Sequence, residues 1–217
     1  MNNQTAIVIG ATGATGTELV TQLLNNSNFA KVKILIRKDI TLSHPKLEKH
    51  IVDFGKLENW KEVITGDVLF SALGTTLKLA GNKENQYKID FTYQYTTAQI
   101  AAENGVKSLV LVSAYGANPK SNIFYSRMKG ELEEAIKKLN FEKVHIFKPG
   151  ILDRAVQDDR NMERVSLKII KAINKIGLFT SQKPMPVSIL AEKMIKISLT
   201  PTDKSLNYYM LQNIFLI

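Results

Sequence analysis

The sequence of 217 residues contains no cysteine and no apolar run long enough to span a bilayer. Disulfide bonds and thiolate metal ligands are therefore excluded. Residues Met1–Thr5 also lack the basic and apolar segments of a secretory signal peptide. Together these absences predict an intracellular, cytoplasmic protein without a membrane partner.

Histidine is also scarce, and positive charge is never concentrated. His44, His50 and His145 stand far apart, without the spacing to each other or to acids that a metal site needs, so no metal is predicted. Lysine and arginine outnumber the acids by 29 to 20, which favours anionic ligands in general. Because the basic residues are scattered and no recognition motif accompanies them, we do not expect a nucleic-acid partner.

Short β-branched runs alternate along the chain with longer helical patterns. The predicted strands are Ala6–Ile9, Val32–Arg37, Lys49–Phe54, Val68–Leu73, Ser108–Ser113 and Val144–Lys148, and the predicted helices are Thr15–Asn25, Ile89–Asn104 and Tyr125–Leu139. This alternation indicates an α/β fold with a doubly wound parallel sheet. Continuous apolar runs such as Leu109–Val112 agree with it, because helices bury such strands on both faces.

The regular alternation weakens after Gly150. Two helical patterns remain, at Met162–Ile176 and Val187–Leu199, followed by a predicted closing strand at Tyr208–Leu216. No linker or repeat divides the chain, so we expect one domain over residues 1–217. Residues 151–217 would form the substrate-side wall, together with the irregular segment Gly116–Ile123.

Three glycines, Gly10, Gly13 and Gly16, lie between the first predicted strand and the first helix. Glycine permits a sharp turn, lets the backbone approach a pyrophosphate and lets helix and strand pack closely. The helix N-terminus then offers free N–H groups to the phosphates. A P-loop is excluded because no Lys-Ser/Thr follows the last glycine. The pattern predicts a Rossmann-type dinucleotide site, whereas a turn without a ligand would not need three glycines.

The end of the second predicted strand indicates which dinucleotide binds. An acid there would bind the ribose hydroxyls of NAD, but this strand ends in Arg37 and Lys38. A guanidinium can bind the 2′-phosphate of NADP through paired hydrogen bonds. NADP is therefore favoured over NAD. Asp39 follows directly, so a solvated pair of strand-end charges is the alternative.

Tyr125 and Lys129 lie four residues apart and therefore share one face of a predicted helix. A nearby ammonium stabilises a phenolate, so that a tyrosine can exchange a proton with a substrate oxygen. Ser113, at the carboxyl end of the preceding strand, could hold the same oxygen. Because ligands of open α/β sheets bind at this edge, we favour a catalytic role over a chance pair on a helix surface.

Three longer motifs, Ala72–Thr76, Val112–Ala117 and Phe147–Leu152, occur in the same order as in a known family. With the glycine loop and the Tyr125/Lys129 pair, they resemble the atypical branch of the short-chain dehydrogenase/reductase superfamily. Within that branch the chain is similar to the Tat-interacting-protein-like oxidoreductases, over nearly its whole length.

That resemblance implies a set of cofactor contacts. Gly10, Thr12, Gly13 and Gly16 would lie against the pyrophosphate, Arg37 against the adenosine phosphate, Asp53 near the adenine, Gly74 and Thr75 beside the ribose, Lys129 on the ribose, and Pro149 near the nicotinamide. Many relatives also carry an asparagine in the helix before the fifth strand, which completes a proton relay. Asp90 is the nearest polar candidate for that position.

These features favour an NADP(H)-dependent oxidoreductase that acts on a small carbonyl or alcohol, with Tyr125 as general acid/base. The alternative from another class is an NADP(H)-binding regulator or scaffold without turnover. A nucleotide-sugar epimerase fits less well, because only 67 residues follow Gly150. A flavin reductase of the same branch usually lacks the tyrosine and lysine. No motif specifies the substrate or the oligomeric state.

Overall fold

The structure is a computed structural model that describes residues 3–153 and 184–217. Within these residues, a seven-stranded parallel sheet is formed by β1 (Gln4–Ile9), β2 (Phe29–Ile36), β3 (Leu47–Ile51), β4 (Val68–Ser71), β5 (Ser108–Val112), β6 (Lys143–Lys148) and β9 (Leu206–Met210). The strand order is β3-β2-β1-β4-β5-β6-β9. The order reverses between β1 and β4, as in Rossmann-type sheets. The predicted doubly wound parallel α/β fold is confirmed.

Helices connect the strands and cover both faces of the sheet. They are α1 (Ala14–Asn25), α2 (Leu77–Ala80), α3 (Lys83–Tyr87), α4 (Tyr93–Glu103), α5 (Phe124–Ile136) and α6 (Val187–Leu199), with 3₁₀ helices at Phe54–Val63 and Leu211–Ile214. A π-helical turn, Lys88–Thr92, joins α3 to α4. Two short strands, β7 (Leu152–Asp153) and β8 (Met185–Pro186), form a separate parallel pair. None of the described helices is long and apolar enough to cross a membrane.

Two hydrophobic clusters hold the layers together, one on each face of the sheet. Successive residues of β1 point to opposite faces, so that Val8 belongs to the cluster that α1 and α6 cover, and Ile9 to the cluster beneath α4 and α5. Both side chains are fully buried. The continuously apolar strands therefore form because helices bury both of their faces.

Several predicted element boundaries differ from the structure, among them the following three. β3 ends at Ile51, because the Asp53 side chain accepts the Gly55 N–H and starts a 3₁₀ helix there. The last strand ends at Met210, and a 3₁₀ turn follows it. The helix expected from Ile89 begins at Lys83 and contains the π-helical turn. The predicted helix Met162–Ile176 lies outside the described residues, and the single-domain organisation stays a prediction.

His145, in the middle of β6, is only 2% exposed. Its Nδ1 atom lies 3.1 Å from the hydroxyl of Tyr209 on β9. Burial lowers the pKa of this imidazole from 6.5 to about 4, and the nearby Lys143 ammonium adds to the effect. The folded protein therefore keeps His145 neutral at a pH where the unfolded chain binds a proton.

This depressed pKa predicts acid sensitivity. The stability that neutral His145 contributes is complete above pH 6.5 and is lost as the pH falls towards 4, because only the unfolded chain gains the proton. After allowance for screening, the free energy of unfolding falls by about 2 kcal/mol over this range. Urea unfolding at pH 7 and pH 4.5 measures the loss, and His145→Asn is the non-titrating control. An equal loss in the variant would contradict the assignment.

Candidate functional site

The turn after β1 is shaped by backbone contacts that exclude side chains. Gly10 has a φ of +80°, and a Cβ there would lie 2.5 Å from the backbone of Ala72 at the end of β4. A Cβ on Gly16 would lie 1.9 Å from the carbonyl oxygen of Gly10. Glycine is therefore required at both positions. The turn brings the start of α1 directly against the carboxyl ends of two neighbouring strands.

The N-terminus of α1 has no side-chain cap among the described residues. Gly13 is the N-cap residue, and its N–H donates to the carbonyl of Gly10 at 2.9 Å. The N–H groups of the first helical turn therefore point outward with the positive end of the helix dipole. Thr12 and Gly13 are exposed beside them. This arrangement can bind a phosphate through the backbone alone.

A cleft of about 580 Å³ opens at the carboxyl ends of β2 and β3. Its lining residues are Arg37, Ile51, Val52, Asp53, Phe54, Leu79, Ala80, Asn85, Lys88, Ile89 and Tyr93. Two apolar side chains on its rim, Ile51 and Leu79, are 50% and 78% exposed. Apolar flanks together with cations and one carboxylate suit a flat heteroaromatic group that carries negative charge.

The charges around this cleft leave Arg37 available to a ligand. Asp39, which the sequence offers as a partner for Arg37, instead pairs with Lys49 at 2.7 Å. No other described residue forms a hydrogen bond or ion pair with the Arg37 guanidinium. Asp53 uses one carboxylate oxygen to accept the Gly55 N–H at 2.8 Å. Within residues 3–153 and 184–217, the Arg37 guanidinium in this cleft therefore has no partner.

Tyr125 and Lys129 occupy the first turns of α5, and the structure gives them different surroundings. The Tyr125 side chain is 42% exposed, whereas Lys129 is 3% exposed. The Lys129 ammonium lies 3.0 Å from Asp90 Oδ1. The other oxygen of Asp90 accepts the backbone N–H of Thr75 at 2.8 Å. The sequence-predicted residues Lys129, Asp90 and Thr75 therefore meet at one point.

Lys129 keeps its charge despite its burial. Burial has the largest single effect and lowers the pKa of this ammonium, but the Asp90 carboxylate together with the nearby Tyr125 and Glu133 side chains outweighs it. The net effect raises the pKa of Lys129 above 10.5. The site thus holds a buried ammonium donor close to the exposed phenol of Tyr125.

Ser113 lies in a neighbouring polar network that the sequence did not reveal. Its hydroxyl donates to Glu133 of α5, and the other oxygen of Glu133 pairs with Lys148 at 2.9 Å. Ser113 and Glu133 are each at most 5% exposed. A signal was present, since Tyr125, Lys129 and Glu133 repeat every four residues along one helix face.

The segment after β5 is fixed to α5 by close contacts. The N–H of Asn118 donates to the carbonyl of Ser126 at 3.0 Å, and the guanidinium of Arg127 donates to the carbonyl of Ser121 at 3.0 Å. A Cβ on Gly130 would lie 2.3 Å from the backbone of Asn118. The irregular segment that the sequence assigns to the substrate wall therefore packs directly on the helix that carries Tyr125.

Pro149, at the end of β6, is buried, and its carbonyl accepts the N–H of Tyr115 at 2.9 Å. Gly74 is exposed beside Asp90, where a Cβ would lie 3.3 Å from the carboxylate. Both residues therefore stand at the carboxyl edge of the sheet. No cluster of three metal-ligating side chains occurs within residues 3–153 and 184–217.

Comparison with known proteins agrees with this geometry. Residues 10–151 match the model of a family described as NAD(P)H-binding. The mitochondrial protein fmp52 of Emericella nidulans is 33% identical over 176 residues, which are 78% of this chain and 76% of that protein. Protein HTATIP2 of Rattus norvegicus is 29% identical over 205 residues, 93% of this chain and 84% of that protein.

Solved structures share the fold at low sequence identity. MoeE5 in complex with UDP-glucose and NAD superimposes with a TM-score of 0.71 at 14% identity, covering 95% of this chain and 75% of that one. WbmH of Bordetella bronchiseptica in complex with NAD⁺ gives a TM-score of 0.70 at 15% identity, covering 96% and 75%. At such identities the likeness establishes the Rossmann-type fold alone.

The comparisons correct one expectation and settle the family. The expected cytoplasmic location is wrong, because the fungal relatives, among them FMP52 of Eremothecium gossypii and of Candida albicans, are named mitochondrial. That expectation rested only on missing signals, and a missing signal does not specify a compartment. The family match and the relatives show that this chain belongs to the NAD(P)H-binding proteins of the atypical short-chain dehydrogenase/reductase superfamily.

Proposed function

We propose that the protein is an NADP(H)-dependent oxidoreductase that transfers a hydride to or from a small carbonyl or alcohol. The observation that carries the proposal is the placement of Tyr125 and Lys129. They lie at the carboxyl edge of the sheet, where Lys129 shares the Asp90 carboxylate with the Thr75 backbone. Ligands of open α/β sheets bind at this edge.

The residues around the site fit a dinucleotide. The cradle at Gly10 and Gly16, which any Cβ would fill, and the uncapped start of α1 would hold the pyrophosphate. Arg37 and Asp53 would contact the adenosine half in the cleft, Gly74 and Thr75 would flank the ribose, and Pro149 would approach the nicotinamide. When bound, the nicotinamide supplies or accepts the hydride.

Tyr125 would act as the general acid/base. In the reducing direction its exposed hydroxyl donates a proton to the carbonyl oxygen as the carbonyl carbon accepts the hydride, and the alcohol forms. The Lys129 ammonium would donate hydrogen bonds to the ribose and stabilise the phenolate that remains. Ser113 would hold the substrate oxygen after its hydroxyl rotates away from Glu133.

NADP is proposed over NAD because of the end of β2. Arg37 is a guanidinium without a partner among the described residues, and it lines the cleft beside Asp53. A 2′-phosphate is the part of NADP that NAD lacks, and arginine binds phosphate through paired hydrogen bonds.

A cofactor-binding protein without turnover is the second candidate. The hydrogen bond from the Ser113 hydroxyl to Glu133 favours it, because a serine held in this way has no proton left to donate to a substrate oxygen. The two candidates share the cofactor site and differ in whether Tyr125 and Ser113 act on a substrate.

The cofactor preference can be measured by titration of the protein with NADPH and NADH, followed by ligand fluorescence. Arg37→Gln should weaken NADPH binding about 10- to 100-fold, because it removes a charge-assisted phosphate contact, and should change NADH binding less than about threefold. Lys107→Gln is the matched control, since it removes one positive charge at the amino-terminal end of β5, on the side of the sheet away from the cleft. Equal losses for both cofactors would refute the proposed role of Arg37.

The catalytic role of Tyr125 can be tested by its replacement with phenylalanine. Tyr125→Phe should lower the turnover of small aldehydes and ketones with NADPH by about 10²- to 10⁴-fold, because it removes the general acid. NADPH affinity should stay within about twofold of the wild-type value. A phenylalanine variant as active as the wild type would reject the mechanism. A wild-type protein that binds NADPH but reduces none of these aldehydes and ketones would favour the second candidate.

A further inference from the structure

Asp90 is a carboxylate at the centre of the site whose two oxygens have different partners. Oδ1 accepts the Lys129 ammonium at 3.0 Å, and Oδ2 accepts the backbone N–H of Thr75 at 2.8 Å. The side chain is only 1% exposed. One buried carboxylate thus connects the catalytic helix α5 to the loop that follows β4.

The position of Asp90 depends on the irregular backbone around it. The residue lies in the π-helical turn Lys88–Thr92, and such turns often occur at functional sites. Gly74 faces it, and a Cβ there would lie 3.3 Å from Oδ1. The backbone therefore leaves space for this carboxylate and for the lysine that it holds.

The groups that face Lys129 explain why a carboxylate is needed. Burial lowers the pKa of the ammonium, and among the described residues Asp90 alone makes direct ionic contact with it. Tyr125 and Glu133, on the same helix face, add weaker attraction. Glu133 is itself engaged by Lys148 and Ser113.

We propose that Asp90 is a positioning residue, which keeps Lys129 charged and holds its ammonium beside the Gly74–Thr75 loop, where it can bind the ribose of the cofactor. The inference rests on the proposed function for the contact with the ribose, but not for the charge of the lysine.

The charge of Lys129 can be tested without cofactor. In Asp90→Asn the side-chain shape is kept, but the buried ammonium loses its ionic partner, and its pKa in the folded state should fall below that in the unfolded state. The unfolded chain then binds more protons than the folded one, so that the stability of the variant rises with pH between 7 and 10. The wild-type protein should show no such rise, because its folded-state lysine keeps the proton up to its raised pKa.

The control for this experiment is the double variant Asp90→Asn/Lys129→Met, which buries no charge at either position and should fold. Its stability should not rise with pH in the same range. Urea unfolding of the three proteins at pH 7, 8.5 and 10 gives the comparison. A rise of equal size in the double variant, or none in Asp90→Asn, would overturn the claim that Asp90 keeps Lys129 charged.

The second measurement is the affinity for NADPH between pH 6.5 and pH 9. In Asp90→Asn the affinity should fall about tenfold over this range as the unpaired lysine loses its proton, whereas the wild type and the double variant should change less than about twofold. A purely structural role would weaken binding by the same factor at every pH and would overturn the proposal. If the wild type does not bind NADPH at all, the proposed function and the ribose contact both fail, and the stability data still decide the charge of Lys129.

Discussion

The helix α1 can begin where it does because two backbone segments approach more closely than any side chain would allow. The Gly10 carbonyl occupies the space where Gly16 would carry a Cβ, and Gly10 itself touches the backbone at the end of β4. These contacts fix the angle at which α1 leaves β1 and packs on the sheet beside α6. They also direct the first N–H groups of α1 to the edge where the other site residues stand. The packing of one face and the proposed phosphate site therefore depend on the same contact.

A second constraint operates on the other face, where α5 buries charges instead of apolar groups alone. Lys129 pairs with Asp90, and Glu133 pairs with Lys148, so the helix has opposite charges one turn apart with partners on different elements. Buried ion pairs contribute little net stability, but a lost partner is costly, because it leaves an isolated charge in the interior. A rotation or shift of α5 would break both pairs at once. The two pairs thus define the orientation of the helix and, with it, the position of Tyr125.

The fold and the glycine turn before α1 could be predicted from the sequence because they depend on short-range patterns. Continuous apolar strands and the spacing of Gly10, Gly13 and Gly16 are visible in the sequence itself. Arg37 can be selected as a candidate because it stands at the end of a predicted strand. The sequence predicts one continuous helix from Ile89 and does not reveal the π-helical turn around Asp90. The bond between Ser113 and Glu133 joins residues 20 positions apart, and only the packed structure shows which hydroxyl reaches which carboxylate.

Residues 118 and 119 pack on Gly130 through their backbone atoms. The segment after β5 is joined to α5 at this contact through backbone atoms, and the Arg127 side chain of α5 adds a bond to the carbonyl of Ser121. The exposed side chains of the segment, such as Lys120 and Ile123, can therefore be replaced without loss of the backbone contact with Gly130. Under the proposed function, successive substitutions there would change substrate preference while the distance between Tyr125 and the carboxyl edge of the sheet stays the same. The backbone contact at Gly130 thus separates the exposed side chains of the segment, which can be substituted, from α5, whose position must stay fixed.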